Sequence, residues 1–116
     1  MESILTSIKK LLGITEEYTH FDADLIMHIN TVFMVLTQLG VGPSGGYAIE
    51  SADDEWTDFI PEASIVQVNA VKSYVYLKVK LLFDPPLSSS AMEAINRQIS
   101  EYEWRLNVAV DPDKTE

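Results

Sequence analysis

Residues 62–86 read EASIVQVNAVKSYVYLKVKLLFDPP and carry an unusually wide apolar pattern at helical spacing. At 100° per residue, Asn69, Ser73 and Lys80 occupy the remaining polar side. A helix that is apolar over more than half of its circumference is a central helix, covered by others. The pattern predicts such a helix from about Glu62 to Phe83, ended by Asp84-Pro85-Pro86, because proline disfavours helical geometry before it and donates no backbone hydrogen bond. The apolar positions are Val66, Val68, Ala70, Val71, Tyr74, Val75, Leu77, Val79, Leu81 and Leu82.

Two amphipathic helices precede this segment. The first is predicted over Ser3 to Leu12 and ends at Gly13, a residue that readily takes a positive φ. The second is predicted from Asp22, which can cap the exposed backbone N–H groups, to Leu39, and Gly40 stops it. One broad arc of the second helix contains Leu25, Ile26, Ile29, Val32, Phe33, Leu36 and Leu39.

A fourth helix is predicted to begin near Ser89 or Ser90. Ser90 and Glu93 have the spacing of a capping box, in which each side chain accepts from the other residue's backbone. The apolar residues that follow form a narrow stripe that suits packing against one neighbouring helix. The stripe consists of Met92, Ile95, Ile99, Tyr102 and Leu106.

The segment between the second and third helices is rich in glycine, proline and acidic residues. Gly42 to Gly46 is turn-prone, and residues 47–49 could form a short strand. Residues 56–60 fit either a second strand or one helical turn. We therefore expect a small hairpin or an irregular flap at about 41–61.

The predicted fold class is mainly α: a small bundle of about four helices with an inserted acidic flap or short β-hairpin between the second and third. Residues 1–110 are expected to form a single helical domain, since 116 residues suit one core. Residues 111–116 are expected to be a charged C-terminal tail, with Pro112 blocking further helix.

Composition excludes several classes of protein. The chain has 18 acidic and 8 basic residues, for a net charge of −10, which argues against gripping nucleic acid or docking on anionic lipid. It contains no cysteine, which removes disulfides, thiolate metal sites and cysteine nucleophiles. No apolar run reaches the ~20 residues that span a bilayer, and the N-terminus lacks the pattern of a signal peptide. A compact, acidic, soluble domain of intracellular type is expected.

The sequence offers little catalytic chemistry. The sequence contains neither a G-x-S-x-G motif around a serine nor a phosphate-binding loop. His28 could join Asp24 as a metal ligand, with His20 nearby, but two ligands on one helix do not make a site, and a rim or core histidine is the favoured interpretation. The acidic stretch within 50–62 lacks the spacing of a calcium loop. No enzyme activity, cofactor or metal is expected.

Three features point to surfaces instead. Met27 and Met34 share one side of the second helix, away from its apolar arc, where methionine suits an adaptable contact. The alternative is that they form a second layer of the protein's own core.

Trp104 falls on the polar side of the fourth helix with Arg97 two turns earlier, which is typical of an interface anchor. The alternative is that Trp104 packs against the flap or the first helix. Lys78 projects into the apolar arc of the third helix, where it either extends to water, pairs with a carboxylate or meets a partner molecule.

Several blocks of the sequence resemble the head–tail connector (adaptor, or head completion) proteins of tailed bacteriophages and prophages of Gram-positive bacteria. The most distinctive block is Val71 to Pro86, which contains Tyr-Leu-Lys and ends in Phe-Asp-Pro-Pro. The resemblance covers nearly the whole chain. The shorter matching blocks are Leu12–Ile14, His28–Asn30, Gln38–Pro43, Trp56–Ile60 and Glu103–Asn107.

The resemblance implies a structural role, with no catalytic residues to carry over. Such proteins form a ring of about twelve subunits below the portal protein, extend the DNA channel and provide a docking surface for the tail or a second connector. The chain would then work at the head–tail junction of the virion after assembly in the host cytoplasm, with no membrane involved. Met27, Met34, Lys78, Arg97 and Trp104 are the candidate interface residues.

The acidic residues Asp53, Asp54 and Glu55 are expected to face the channel in this role, since DNA must pass without being held. The alternative from another functional class is a small acidic binding module that mimics DNA or inhibits a host protein.

Overall fold

The computed structural model describes residues 2–61 and 65–110, with the side chains of 108–110 excepted. Within this part of the chain lie five helices: α1 (Ile4–Leu12), α2 (Asp22–Gln38), α3 (Trp56–Phe59), α4 (Ile65–Phe83) and α5 (Ser89–Val110). The mainly α class and the helical bundle are confirmed. The expected C-terminal tail at 111–116 lies outside the described residues.

The helix ends follow the local chemistry of the sequence at most positions. The Ser3 hydroxyl accepts from the Thr6 amide at 3.2 Å at the start of α1, and Gly13 ends that helix with a φ of 83°. Helix α5 begins at Ser89, as predicted, but the expected capping box was wrong, because Ser88 Oγ accepts from the Ala91 amide at 3.0 Å. Ser88, rather than Ser90 with Glu93, caps this helix.

Helix α4 is the centre of the bundle, since α1, α2 and α5 all contact it. The wide apolar arc of the sequence explains this position, because only a helix with several apolar sides can contact that many neighbours. One buried cluster contains Leu25, Ile29, Val32, Phe33 and Leu36 of α2, Tyr74, Val75 and Val79 of α4, and Ile4 and Ile8 of α1. Among the described side chains of α5, Ile99 and Leu106 are the buried ones.

The first turn of α4 departs from the predicted arc. Ile65 and Val66 are 80% and 77% exposed, and Leu82 near the other end is 50% exposed. The periodicity placed Val66 and Leu82 with the core. Neighbouring helices cover the middle of α4 and leave apolar residues at both of its ends in contact with solvent.

The segment between α2 and α4 contains no strand among its described residues, so the hairpin expectation was wrong. Residues 56–60 instead follow the helical alternative and begin with α3. The segment is tied to the N-terminus of α1: the Ile4 amide donates to the Asp54 carbonyl at 3.0 Å, and the Trp56 amide donates to the Glu2 carbonyl at 3.2 Å. These bonds surround an isolated antiparallel bridge between Ser3 and Glu55.

Candidate assembly surfaces

An exposed stripe runs along α2 on the side away from the core. Met27 and Met34 are each 59% exposed, so they do not form a second core layer within the subunit. Asp24, Thr31 and Gln38 are exposed as well. The spacing of three and four residues places all five side chains on one line along the helix. We call these residues the α2 stripe.

A second exposed stripe lies on α5. Trp104 is 64% exposed, so neither the loop before α3 nor α1 covers it. Arg97 and Ser100 are exposed on the same side of the helix, since positions three, four and seven residues apart share a face. Tryptophan and arginine are enriched among the residues that contribute most of the binding energy in protein interfaces. We call Arg97, Ser100 and Trp104 the α5 stripe.

Lys78 has a carboxylate near it within the chain. Its Nζ lies 4.0 Å from Glu103 Oε2 on α5, and the same carboxylate oxygen accepts a 2.7 Å hydrogen bond from the Tyr74 hydroxyl. Burial raises the pKa of Tyr74, and the hydrogen bond to Glu103 and its negative charge raise it further. This polar group joins α4 to α5 where the two helices share few fully buried side chains.

Several carboxylates of the acidic loop before α3 accept hydrogen bonds from backbone amides of the same loop. Asp54 Oδ2 accepts from the amides of Glu50 at 2.8 Å and Ser51 at 3.3 Å. Glu55 and Asp58 form the reciprocal capping box of α3, with the Glu55 amide donating to Asp58 Oδ2 at 2.9 Å. Asp53, in contrast, is exposed to solvent. Fully solvated acidic residues therefore make up only part of this loop.

A cluster of aromatic rings holds the same loop against α2. Phe33 lies 4.6 Å from Phe59 and 5.4 Å from Tyr47, measured between ring centroids. Burial raises the pKa of Tyr47, with smaller contributions from the negative charges of Asp54 and Asp58. Apolar contacts therefore anchor the loop against α2.

Two polar anchors were missed at the sequence level. Lys9 is 2% exposed, and its Nζ lies 2.9 Å from Asp22 Oδ1 and 3.0 Å from the Glu16 carbonyl. The signal was present in the sequence, because Lys9 falls on the same helical face as Leu5 and Leu12. This pair fixes the connection between α1 and α2.

The second missed anchor is Asn30 on α2. Its Nδ2 donates to the Ile49 carbonyl at 3.0 Å, and its Oδ1 accepts from the Ile49 amide at 2.7 Å. One side chain thus satisfies both backbone groups of a buried loop residue in place of the predicted strand. No pattern in the sequence indicates which loop residue this asparagine meets.

The histidines take part in aromatic contacts. His20 is exposed and its ring centroid lies 4.8 Å from that of Phe21, while His28 lies 6.5 Å from Phe83. The described residues contain no group of three or more His, Asp or Glu side chains that could hold a metal ion. None of the described helices combines the length and apolar character needed to cross a bilayer.

The described residues therefore form a helical bundle with two exposed stripes, one on α2 and one on α5. The model of the phage connector protein family matches residues 4–113, and the chain belongs to this family. No curated protein and no solved structure matches the chain.

Membership of this family makes the chain a structural connector of a bacteriophage, with a place in the virion and an association with other head or tail proteins. Such a structural family is not normally enzymatic. The mainly helical fold and the exposed apolar residues agree with a part that works by contact.

Proposed function

We propose that the chain is a subunit of a head–tail connector ring that lies below the portal, extends the DNA channel and provides a docking surface for the tail or a second connector. The observation that carries this proposal is the family match, which covers nearly the whole chain. A ring of about twelve copies is the expected assembly.

The distribution of exposed apolar side chains supports assembly. Large apolar residues are exposed on α2, on α5 and at the start of α4. A ring needs two different surfaces on each subunit, since each copy contacts one neighbour with one surface and the next neighbour with the other. The α2 stripe and the α5 stripe lie on separate helices and differ in composition, as this kind of contact requires.

We place the acidic loop, with Asp53, Asp54 and Glu55, on the channel side of the ring. Asp54 and Glu55 accept hydrogen bonds from backbone amides and, together with the exposed Asp53, place acidic side chains where they repel phosphate. Repulsion of this kind lets DNA slide through without being held. At physiological salt it acts over a Debye length of roughly 8 Å, which confines it to DNA close to the wall.

The partners in this proposal are the portal protein on one side and a tail protein or second connector on the other. Assembly takes place in the cytoplasm of the host bacterium, and the finished ring stays at the head–tail junction. Lys78 is a weaker interface candidate than the two stripes, because Glu103 already lies near its ammonium group. The exposed Ile65 and Val66 are further candidates for contact with a partner above or below the ring.

Electron microscopy of the purified chain tests the proposal directly. The chain is imaged alone over a series of concentrations and mixed with the portal protein of the same phage. We expect rings with a central channel, either free or stacked on the portal. A single-copy mass at every concentration, together with no association with the portal, would refute the proposal.

The alternative of an acidic module that mimics DNA has less support from the geometry. A mimic needs its carboxylates displayed outwards at phosphate-like spacing. In the acidic loop, Asp54, Glu55 and Asp58 instead bond backbone amides of their own segment.

A further inference from the structure

Five of the seven Lys and Arg side chains of the described residues form ion pairs within the chain. Arg97 and Lys10 take part in none of the ion pairs between described residues. Arg97 differs from Lys10 in sharing its helix face with an exposed tryptophan, Trp104. The paired cations are Lys9, Lys72, Lys78, Lys80 and Arg105, with Asp22, Glu2, Glu103, Asp84 and Glu101 respectively.

The two features of the α5 stripe have a defined separation. Arg97 and Trp104 are seven residues apart, so they share one face and lie about 10.5 Å apart along the helix axis. A surface that binds this stripe needs a carboxylate and an apolar pocket at the same separation. Since the chain carries a large acidic surplus, carboxylates are abundant on its own surface, but an adjoining apolar pocket is a much stricter requirement.

The α2 stripe carries an exposed carboxylate, Asp24, and two exposed apolar side chains, Met27 and Met34, that can form the walls of such a pocket. Asp24 precedes Thr31 by seven residues, and the ion pairs among described residues do not include Asp24. Thr31 is small and lies between Met27 and Met34, one turn away on either side. Positions 27, 30, 31 and 34 are the four corners of the hole into which a side chain of a facing helix inserts in knobs-into-holes packing.

We propose that Trp104 of one copy inserts between Met27 and Met34 of the next copy, with Arg97 facing Asp24 across the interface. The pairing rests on the proposed ring and identifies the contact that builds it. The methionine thioethers provide flexible walls and favourable sulfur–aromatic contacts for the indole ring. The arginine and the carboxylate set the register, since electrostatic complementarity contributes specificity more than affinity.

The same complementarity sets the relative direction of the two helices. With Trp104 over Thr31, a parallel arrangement brings Arg97 to Asp24. An antiparallel arrangement brings Arg97 to Gln38, which has no charge to offer. The contact is also heterologous, because each copy gives its α5 stripe to one neighbour and its α2 stripe to the other, so repetition can close a ring.

Cysteine cross-linking tests the pairing without background, since the chain has no cysteine of its own. In the parallel register Ser100 faces Met27, so Ser100→Cys and Met27→Cys are made in separate chains, mixed and treated with a short bis-thiol reagent. We expect a dimer that each variant alone does not form. The matched control replaces Met27→Cys with Asn69→Cys, an exposed position on α4, and should give no dimer.

Charge reversal supplies an independent test. Asp24→Lys and Arg97→Glu should each raise the concentration needed for ring formation by at least about tenfold. The double variant should recover to within about threefold of the original chain. Glu17→Lys and Lys10→Glu are exposed controls with the same charge changes and should leave the concentration unchanged, and circular dichroism melts verify that every variant folds.

The outcomes separate the pairing from the ring itself. Rings of normal appearance with no cross-link, or with single reversals that assemble as well as the original chain, overturn the pairing and leave the proposed function standing. Failure of the unmodified chain to form a ring, alone or on the portal, overturns both.

Discussion

Replacing Gly42 with alanine should destabilise the subunit far more than the same change at other exposed glycines. Gly42 has a φ of +87°, and a Cβ added there would lie 2.3 Å from Cε1 and 2.8 Å from Cζ of Phe59. The left-handed backbone costs an alanine about 1–2 kcal/mol. Overpacking against the buried ring adds about 1–3 kcal/mol, since the aromatic cluster around Phe33 limits how far Phe59 can shift.

Two other glycines separate these contributions. Gly13 has a φ of +83° but no atom within 4 Å of an added Cβ, so Gly13→Ala reports the backbone cost alone. Gly45 has neither a left-handed backbone nor a close neighbour, and Gly45→Ala should be neutral or slightly stabilising, because alanine restricts the unfolded chain. Urea unfolding should give losses of about 2–5 kcal/mol for Gly42→Ala and about 1–2 kcal/mol for Gly13→Ala.

A double-mutant cycle locates the contact itself. Phe59→Leu removes the two ring atoms that lie closest to the added Cβ, so in that background the excess cost of Gly42→Ala over Gly13→Ala should shrink. We expect a coupling free energy of about 0.5–3 kcal/mol. Equal costs for Gly42→Ala and Gly13→Ala, or zero coupling with Phe59, would refute the close packing of this loop on α3.

Three further predictions concern the polar anchors. Asp22→Asn should cost about 3 kcal/mol in unfolding free energy and more than Lys9→Met, because it leaves a buried ammonium without a counter-charge, whereas Lys9→Met leaves a carboxylate that is partly exposed to water. The reverse order would contradict this account. Asn30→Ala should cost about 2–4 kcal/mol because two buried backbone groups lose their partner, while the exposed control Asn96→Ala should stay within about 0.5 kcal/mol. The pKa of Tyr74 is raised in the folded state above its unfolded value of 10.0. The stability that this shift contributes is therefore present below pH 10 and is lost as the pH rises above it. Between pH 8 and pH 11, the free energy of unfolding should fall more for the original chain than for Tyr74→Phe.

The sequence predicted the helices and their exposed sides because both depend on local periodicity. Each longer helix lies within a few residues of its predicted range. Met27 and Met34 fall away from the apolar arc by angle alone, and they are exposed in the subunit. Val66 shows the limit of reasoning from periodicity: its angular position predicts burial, but its side chain is 77% exposed.

The loop before α3 could not be predicted, since its conformation depends on distant partners. Asn30 replaces the hydrogen bonds that a paired strand would supply to Ile49, and it lies 19 positions away. Trp56 likewise donates from its indole nitrogen to Ser7 Oγ at 2.8 Å, 49 positions away. A local sequence pattern limits which backbone conformations the loop can adopt. The contacts with Asn30 and Ser7 select one of those conformations.

Some carboxylates of the acidic loop stabilise its conformation and also supply negative charge for the proposed channel role. Asp54 accepts two amide bonds and Glu55 caps α3, so neutralising either residue changes the fold and the potential together. Asp53 is exposed, and its own carboxylate has no hydrogen bond or ion pair among the described residues. A substitution at Asp53 therefore changes the charge of the loop without disturbing its conformation. At Asp54 and Glu55 the same carboxylates also hold the loop in its conformation.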